Sequence, residues 1–253
     1  MSRPPDLGHE SELRSLGYEL IAGIDEVGRG ALAGPVVAGA VILPLLADLP
    51  WFELVRDSKE LNSRKRESLF EVIEKEAVAV GIGIVSAQVI DSVNILKATT
   101  LAMMQAVERL PKKPNFLLID RLVLSQCPIP QMGITRGDKT CLSIACASII
   151  AKVTRDHMME ELDQVYPGYG FARHKGYGTT RHISCLRELG PSPVHRLYFS
   201  PVRNVITDQS RGSLASVHSG PSVPYRSEEV ERPDNLVQGR LPYESGDEPS
   251  RSR

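Results

Sequence analysis

With 253 residues, the chain is sized for one domain or a domain with a tail, and its 42% apolar content is enough to bury a core. A formal net charge of −1 excludes a chain that is basic throughout, so whole-chain charge does not announce a nucleic-acid partner. The four cysteines form no C-x-x-C pair and read as reduced, partly buried thiols of a cytoplasmic protein. The opening stretch MSRPPDLGHESELRSLG has no apolar core, which argues against a signal peptide. Gly and Pro break every apolar run well short of ~18 residues, so no membrane span is expected.

Residues 1–18 read as a loose polar lead-in with a short helix. Tyr18 to Asp25 reads as the first strand, and the small and β-branched stretch Pro35 to Leu43 as a second, buried one. After a loop carrying Pro44 and Pro50, the run SRKRESLFEVIEKEAVA has helical periodicity, with Ser63 as its N-cap and Leu69, Val72, Ile73 and Ala77 on one side. Val80 to Ser86 alternates Gly with Ile and Val and predicts a third strand. Asn94 to Arg109 predicts a helix with Leu101, Met104, Ala106 and Val107 buried, stopped by Pro111 and Pro114.

NFLLID, ending at Asp120, is a short buried strand, and Ile129 to Thr135 a further extended segment. Arg136-Gly137-Asp138 then leads into a long helix over Cys141 to Val165, whose small residues Ala145, Ala147, Ser148 and Ala151 suit close packing on a sheet. Tyr166 to Gly170 breaks it, and Thr179 to Leu189 forms another helix closed by Gly190-Pro191. From about Thr207 the chain turns rich in Ser, Pro, Gly and charge without hydrophobic periodicity, and is expected to be disordered. Strands alternating with helices, with two strands before any long helix, predict an α/β sheet that opens on an antiparallel hairpin.

Four carboxylates fall where elements end or begin: Asp25, Glu26, Asp120 and Asp138. In an α/β sheet such ends gather on one edge, where ligands bind. Four like charges there repel at neutral pH, and divalent cations relieve the repulsion. The oxygen-only set suits Mg²⁺ or Mn²⁺. Two such ions roughly 3.5–4 Å apart are the usual machinery for hydrolysing a phosphodiester. An Asp after a strand also serves as a turn or cap residue, and that reading stays open for Asp120 and Asp138. Asp156, mid-helix beside Arg155, reads as an exposed helical Asp rather than a fifth ligand.

The segment from Gly28 to Ala33 formally satisfies G-x-G-x-x-G/A, but Gly34-Pro35 and a strand follow where a dinucleotide site needs a helix. The turn fits better as backbone pressed against a substrate beside the acids. Residues Gly170 to Asn204 hold six Lys or Arg against the single acid Glu188, interleaved with Tyr169, Phe171, Tyr177 and Phe199. That mixture suits a phosphate backbone with its sugars and bases, although a charge run is also commonly a solvated helix face. His174, His182 and His195 lack zinc spacing and read as polar contacts.

Taken together, GIDEVGRGALAGPVV, Asp57-Ser58-Lys59-Glu60-Leu61, LLID, GDKTCLSIACASIIAKVTRD, YPGYGFARHKGYGTTRH and GPSPVHRLYF resemble, in order, the blocks of the ribonuclease HII family. The resemblance runs from about Leu20 to Val202. It implies an RNase H-like fold, with a mixed central sheet flanked by helices and a small helical C-terminal subdomain. It implies endonucleolytic cleavage of the RNA strand of RNA–DNA hybrids, including incision 5′ to a lone ribonucleotide in duplex DNA, with Mg²⁺ or Mn²⁺. Position by position it makes Asp25, Glu26, Asp120 and Asp138 the catalytic, metal-binding acids. It makes Gly28, Arg29 and Gly30 the turn that reads the ribose 2′-hydroxyl, and Tyr177 the tyrosine at the RNA–DNA junction. Ser58 and Lys59 of the second block are added as substrate contacts. Ala31 stands where the family usually has proline, and Arg121 where a small residue is usual.

The expected organisation is a lead-in over 1–18, a catalytic domain over 19–204 with a basic part over 170–204, and a polar tail over 205–253, acting as a monomer. A non-catalytic hybrid-binding module is the alternative, and it would bind the same duplexes without depending on Asp25.

Overall fold

The computed structural model describes residues 4–45 and 49–215, with side chains to 208. Five strands form one sheet: β1 (Ile21–Val27), β2 (Val36–Ile42), β3 (Ala79–Val85), β4 (Phe116–Asp120) and β5 (Gln131–Ile134). Their order is β3-β2-β1-β4-β5. The opening hairpin is antiparallel, as expected, whereas β1 pairs in parallel with β4, and β4 with β5. The sheet is therefore mixed. Ile24 sits opposite Ile119, so the next residues, Asp25 and Asp120, leave adjacent parallel strands at the same end.

Two helical layers cover the faces. On one, α4 (Ile95–Glu108) follows the short α3 (Ala87–Val93) and packs Ala98, Ala102, Met103 and Ala106 against Ala38, Ala40 and Ile24. On the other, α6 (Leu142–Val165), preceded by α5 (Gly137–Thr140), meets Val41 and α2 (Ser63–Glu76). Both helices come very near the sheet because glycines face them. A Cβ on Gly83 would strike the Ala102 carbonyl, and one on Gly23 the backbone of Ser143.

That close approach corrects the expected burial of α4. Ala106 and Ala102 lie directly over Gly81 and Gly83, so Leu101 is turned out to 42% exposure, and Met103 is buried beside them. The cap of α2 is also one residue earlier than expected. Asn62, in extended conformation, accepts from the Lys65 N–H at 2.9 Å, while Ser63 is already helical.

The lead-in is less loose than expected. Helix α1 (Gly8–Ser15) buries Glu10 completely, and Glu10 Oε1 accepts from the Ser143 N–H at 2.8 Å. The Leu142 N–H donates to the Asp6 carbonyl at 3.0 Å. Since Cys141 offers α6 no side-chain cap, Glu10 of α1 and Asp6 just before it satisfy two orphan donors of the longest helix.

After α6 come α7 (Phe171–His174), α8 (Thr180–Leu189), capped by Thr179, and α9 (Ser200–Ala215). Helix α9 crosses the point at 205 where the polar tail was expected to begin, so the tail's first residues are helical. The remainder of that expected tail lies outside the described residues. Among the described residues no helix is long and apolar enough to cross a membrane.

Candidate active site

The four acids arrive from three elements. Asp25 and Glu26 end β1, Asp120 ends β4, and Asp138 lies in α5. The Gly137 N–H donates to Asp120 Oδ1 at 2.8 Å, tying the end of β4 to the turn that carries Asp138. Asp25 is 7% exposed and Asp138 8%, while Glu26 and Asp120 are half-buried.

Their electrostatics record the crowding. Burial first, then Glu26 and Asp120, raise the Asp25 carboxyl well above the usual range, against the Ser148 hydroxyl. Burial and Asp120 raise Glu26, opposed by Arg29. Burial, Asp57 and Asp120 raise Asp138, opposed by Lys59 and Lys139. The acids thus feel one another across elements far apart in sequence, as a shared cation site requires.

As the side chains stand, no three carboxylates, histidines or cysteines among the described residues converge on a single point. Each outer acid leans to a cation of the chain instead: Glu26 to Arg29 at 2.9 Å and Asp138 to Lys59 at 3.8 Å. Glu26 Oε2, however, is buried without any hydrogen-bond partner. An orphaned carboxylate oxygen, an oxygen-only donor set and three carboxyls each lifted by burial and in part by Asp120 fit a hard divalent cation.

The second block sits beneath this edge. Ser58 is buried, its hydroxyl 3.0 Å from that of Ser148, which in turn meets Asp25. Lys59 is exposed and reaches over Asp138. Asp57, which sequence reasoning passed over as an acid, is 5% exposed and pairs with Lys139 at 3.3 Å. Asp156 departs from the expected exposed position: it is 9% exposed and bonded to Lys152 at 2.6 Å. The reason is that this part of α6 is buried on both sides, so its partner, Lys152, comes from the preceding turn of the same helix.

The glycine turn leaves β1 beside Glu26. Gly28 has φ +92°, and a Cβ there would strike Arg155 Nε. Gly30 is exposed with open space around its Cα, and among the described residues nothing takes the N–H of Arg29 or Gly30. The turn is fastened to the C-terminal lobe by Leu32 N–H to the Gly176 carbonyl at 2.8 Å and Gly34 N–H to the Val194 carbonyl at 2.9 Å. Tyr177, next to Gly176, is exposed, and the Arg155 guanidinium lies 5.5 Å from its ring centroid.

Several members of the basic segment are not at its surface. Arg196 is wholly buried, as are Phe171 and His182, and Tyr169 is 8% exposed. Tyr169 and Phe171 stack on each other rather than waiting for bases. His174, His182 and His195 form one buried chain. His182 Nδ1–H donates to the Tyr177 carbonyl at 2.9 Å, and His195 Nδ1 accepts from the Ser192 N–H at 2.9 Å, which leaves His195 Nε2–H to donate to His182 Nε2 at 3.0 Å. Burial and the neighbouring imidazoles push His195 down to about 4 and lower His182. Arg173, Arg181 and Arg187 remain as outer cations of the lobe.

Comparison with known proteins points one way. A family model described as Ribonuclease HII matches residues 22–202. A Ribonuclease HII of Dehalococcoides mccartyi is 54% identical over 202 residues, spanning 80% of this chain and 95% of the relative. One from Geobacter sulfurreducens is 54% identical over 194 residues, or 77% and 88% of the two chains. Among solved structures, the ribonuclease H2 of Pyrococcus horikoshii superposes with a TM-score of 0.66 at 25% identity, covering 76% of this chain and all of that one.

Proposed function

The chain belongs to the ribonuclease HII family and has the RNase H-like fold, and from that premise we propose how the acid edge and the glycine turn divide the work. The protein is an endoribonuclease acting on the RNA strand of RNA–DNA hybrids. Asp25, Glu26, Asp120 and Asp138 hold two divalent cations, Mg²⁺ or Mn²⁺. The observation that carries this is the placement of Asp25 and Asp120 at matching ends of adjacent parallel strands, where Asp120 adds to the burial that raises Asp25. The ions, when bound, supply an activated water nucleophile and neutralise charge at the leaving oxygen.

The chain's own residues do the rest. Asp25, held by Ser148 and through it by Ser58, stays fixed while Glu26 and Asp138 exchange Arg29 and Lys59 for substrate and cations. Arg29 and Lys59, so released, meet phosphate oxygens. The N–H groups of Arg29 and Gly30 bond the 2′-hydroxyl, which alone separates the target sugar from deoxyribose. Tyr177 lies against the sugar on the DNA side of the junction. Because the acids, the turn and the tyrosine all come from one chain, a monomer suffices. Four free cysteines, three of them buried, suit a reducing cytoplasm.

The substrate is a hybrid or a duplex carrying a single ribonucleotide, cut on its 5′ side. The test is a labelled duplex with one ribonucleotide, incubated over a range of Mg²⁺ and Mn²⁺ concentrations beside an all-DNA duplex. Incision confined to the first is expected. Failure to incise it at any metal concentration removes the single-ribonucleotide reading.

A further inference from the structure

Arg196 is wholly buried, yet no carboxylate pairs with it among the described residues. All its bonds go to backbone carbonyls of the glycine turn. Nε donates to Gly34 at 3.1 Å, Nη2 to Gly34 at 3.0 Å and to Pro35 at 3.2 Å, and Nη1 to Arg29 at 2.9 Å. A second buried guanidinium, Arg155, holds the neighbouring carbonyls of Ala33, Pro35 and Lys175. Burying a charge against neutral carbonyls alone is costly, so what the contacts achieve matters.

The bond to Arg29 is the informative one. The Arg29 carbonyl and the Gly30 N–H belong to one planar peptide unit and point opposite ways. With the oxygen fixed inward on a cation, the N–H is fixed outward on the exposed side of the turn. Gly30 has nothing within 4 Å of a Cβ position, so no packing would otherwise stop this peptide from turning over. A charged donor on the carbonyl also polarises the amide and makes its N–H a stronger donor. The same arginine carries the backbone bond from its own N–H to the Leu32 carbonyl at 2.8 Å, and Leu32 is bonded to Gly176 beside Tyr177.

We propose that Arg196 is a specificity-determining positioning residue, which aims and strengthens the Gly30 N–H that receives the ribose 2′-oxygen. The inference rests on the hydroxyl-reading role given above to the turn. Arg196 never touches substrate. Its planar fork engages three carbonyls at once, which a lysine ammonium on a single stem cannot reproduce.

The experiment uses the full-length protein with Mn²⁺ and two duplexes, one with a ribose and one with a 2′-deoxy-2′-fluoro sugar at the same position. Fluorine is a poor acceptor, so the ratio of the two incision rates reads the bond from Gly30. Because the ratio is taken within one preparation, a smaller folded fraction cancels. In Arg196→Lys the ratio is expected to fall about 10- to 100-fold. A ratio equal to the wild-type one, with both rates lowered together, overturns the proposal and leaves Arg196 as a mere support of the fold. If Arg196→Lys does not fold, Phe199→Leu asks the same question more gently, since that ring lies 5.2 Å from the guanidinium. There a fall of a few-fold is expected, and an unchanged ratio again overturns the proposal. A wild-type enzyme that cuts both sugars alike overturns the reading of the turn itself, a result distinct from either variant outcome.

Discussion

At the sheet edge, Asp25, Glu26 and Asp138 are raised in pKa by burial and then by the like charges crowded around them. Behind the glycine turn, Arg155 and Arg196 crowd two cations whose hydrogen bonds all go to backbone carbonyls, with the rings of Tyr177 and Phe199 beside them, and both are lowered by burial, Arg196 to about 9 with Arg155 contributing. The two regions are unbalanced in opposite senses and are resolved differently. The cations are satisfied by fixed dipoles of the chain, so that region is finished when the protein folds. The acids keep an orphaned oxygen and half-committed partners, so theirs is finished only by what binds. A preorganised wall thus stands beside an edge that is kept poised, and with the roles proposed above such a division favours catalysis, because the turn does not have to rearrange.

Three substitutions bear on that contrast. Asp25→Asn strikes the poised edge. Incision of a single-ribonucleotide duplex should drop on the order of 10³-fold, since several kcal/mol of charge stabilisation go with the cations. The metal-free protein should nonetheless melt roughly 2–4 °C higher, corresponding to about 1 kcal/mol of relieved repulsion. Loss of activity together with a lower melting temperature would deny that the edge is strained.

Arg155→Leu strikes the finished wall. It leaves the carbonyls of Ala33 and Lys175 without their guanidinium donor, and that of Pro35 with Arg196 alone, and should cost about 3 kcal/mol, read as a lower urea midpoint. Unchanged stability would mean that water replaces the guanidinium freely. The smallest effect concerns the imidazoles. His195 is lowered to about 4 in the folded protein, so between about pH 6.5 and pH 4 the unfolded chain binds the extra proton and stability falls as pH falls. Subtracting the stability curve of His195→Asn from that of the wild type cancels the carboxylates, whose raised values act the other way, and should leave a loss confined to this window. A flat difference would show that His195 takes up its proton equally in the folded and unfolded states.

The sheet edge was legible because the Asp25-Glu26 pair and Asp120 each follow an apolar run, and such runs end where parallel strands end, while Asp138 opens the helical turn next to them. Asp120 could be placed beside Asp25 from pattern alone once a sheet was assumed. The wall was not legible. Arg196 stands among Arg173, Arg181 and Arg187 in a segment that reads as a phosphate surface, and nothing in spacing separates a guanidinium that turns inward from one that turns out. Tyr169 and Phe171 were misplaced for the same reason. The one available signal is that a turn rich in glycine at positive φ exposes many carbonyls to its own interior, and such carbonyls need donors. The register of α4 was missed because hydrophobicity favours Leu101, whereas Gly81 and Gly83 admit only small side chains. Asp57 was passed over because its block was read for Ser58 and Lys59.

The central place of β1 also matters while the chain is being made. Strands β2 and β3 follow it closely and complete one side of the sheet, but β4 arrives only after α2, α3 and α4 have left the ribosome. Until then β1 presents an open flank of unpaired amides, the kind of surface on which nascent chains zip together. Two carboxylates at its tip put like charges on that flank and make it a poor template for a neighbouring copy, a consequence of these acids separate from the role proposed for them.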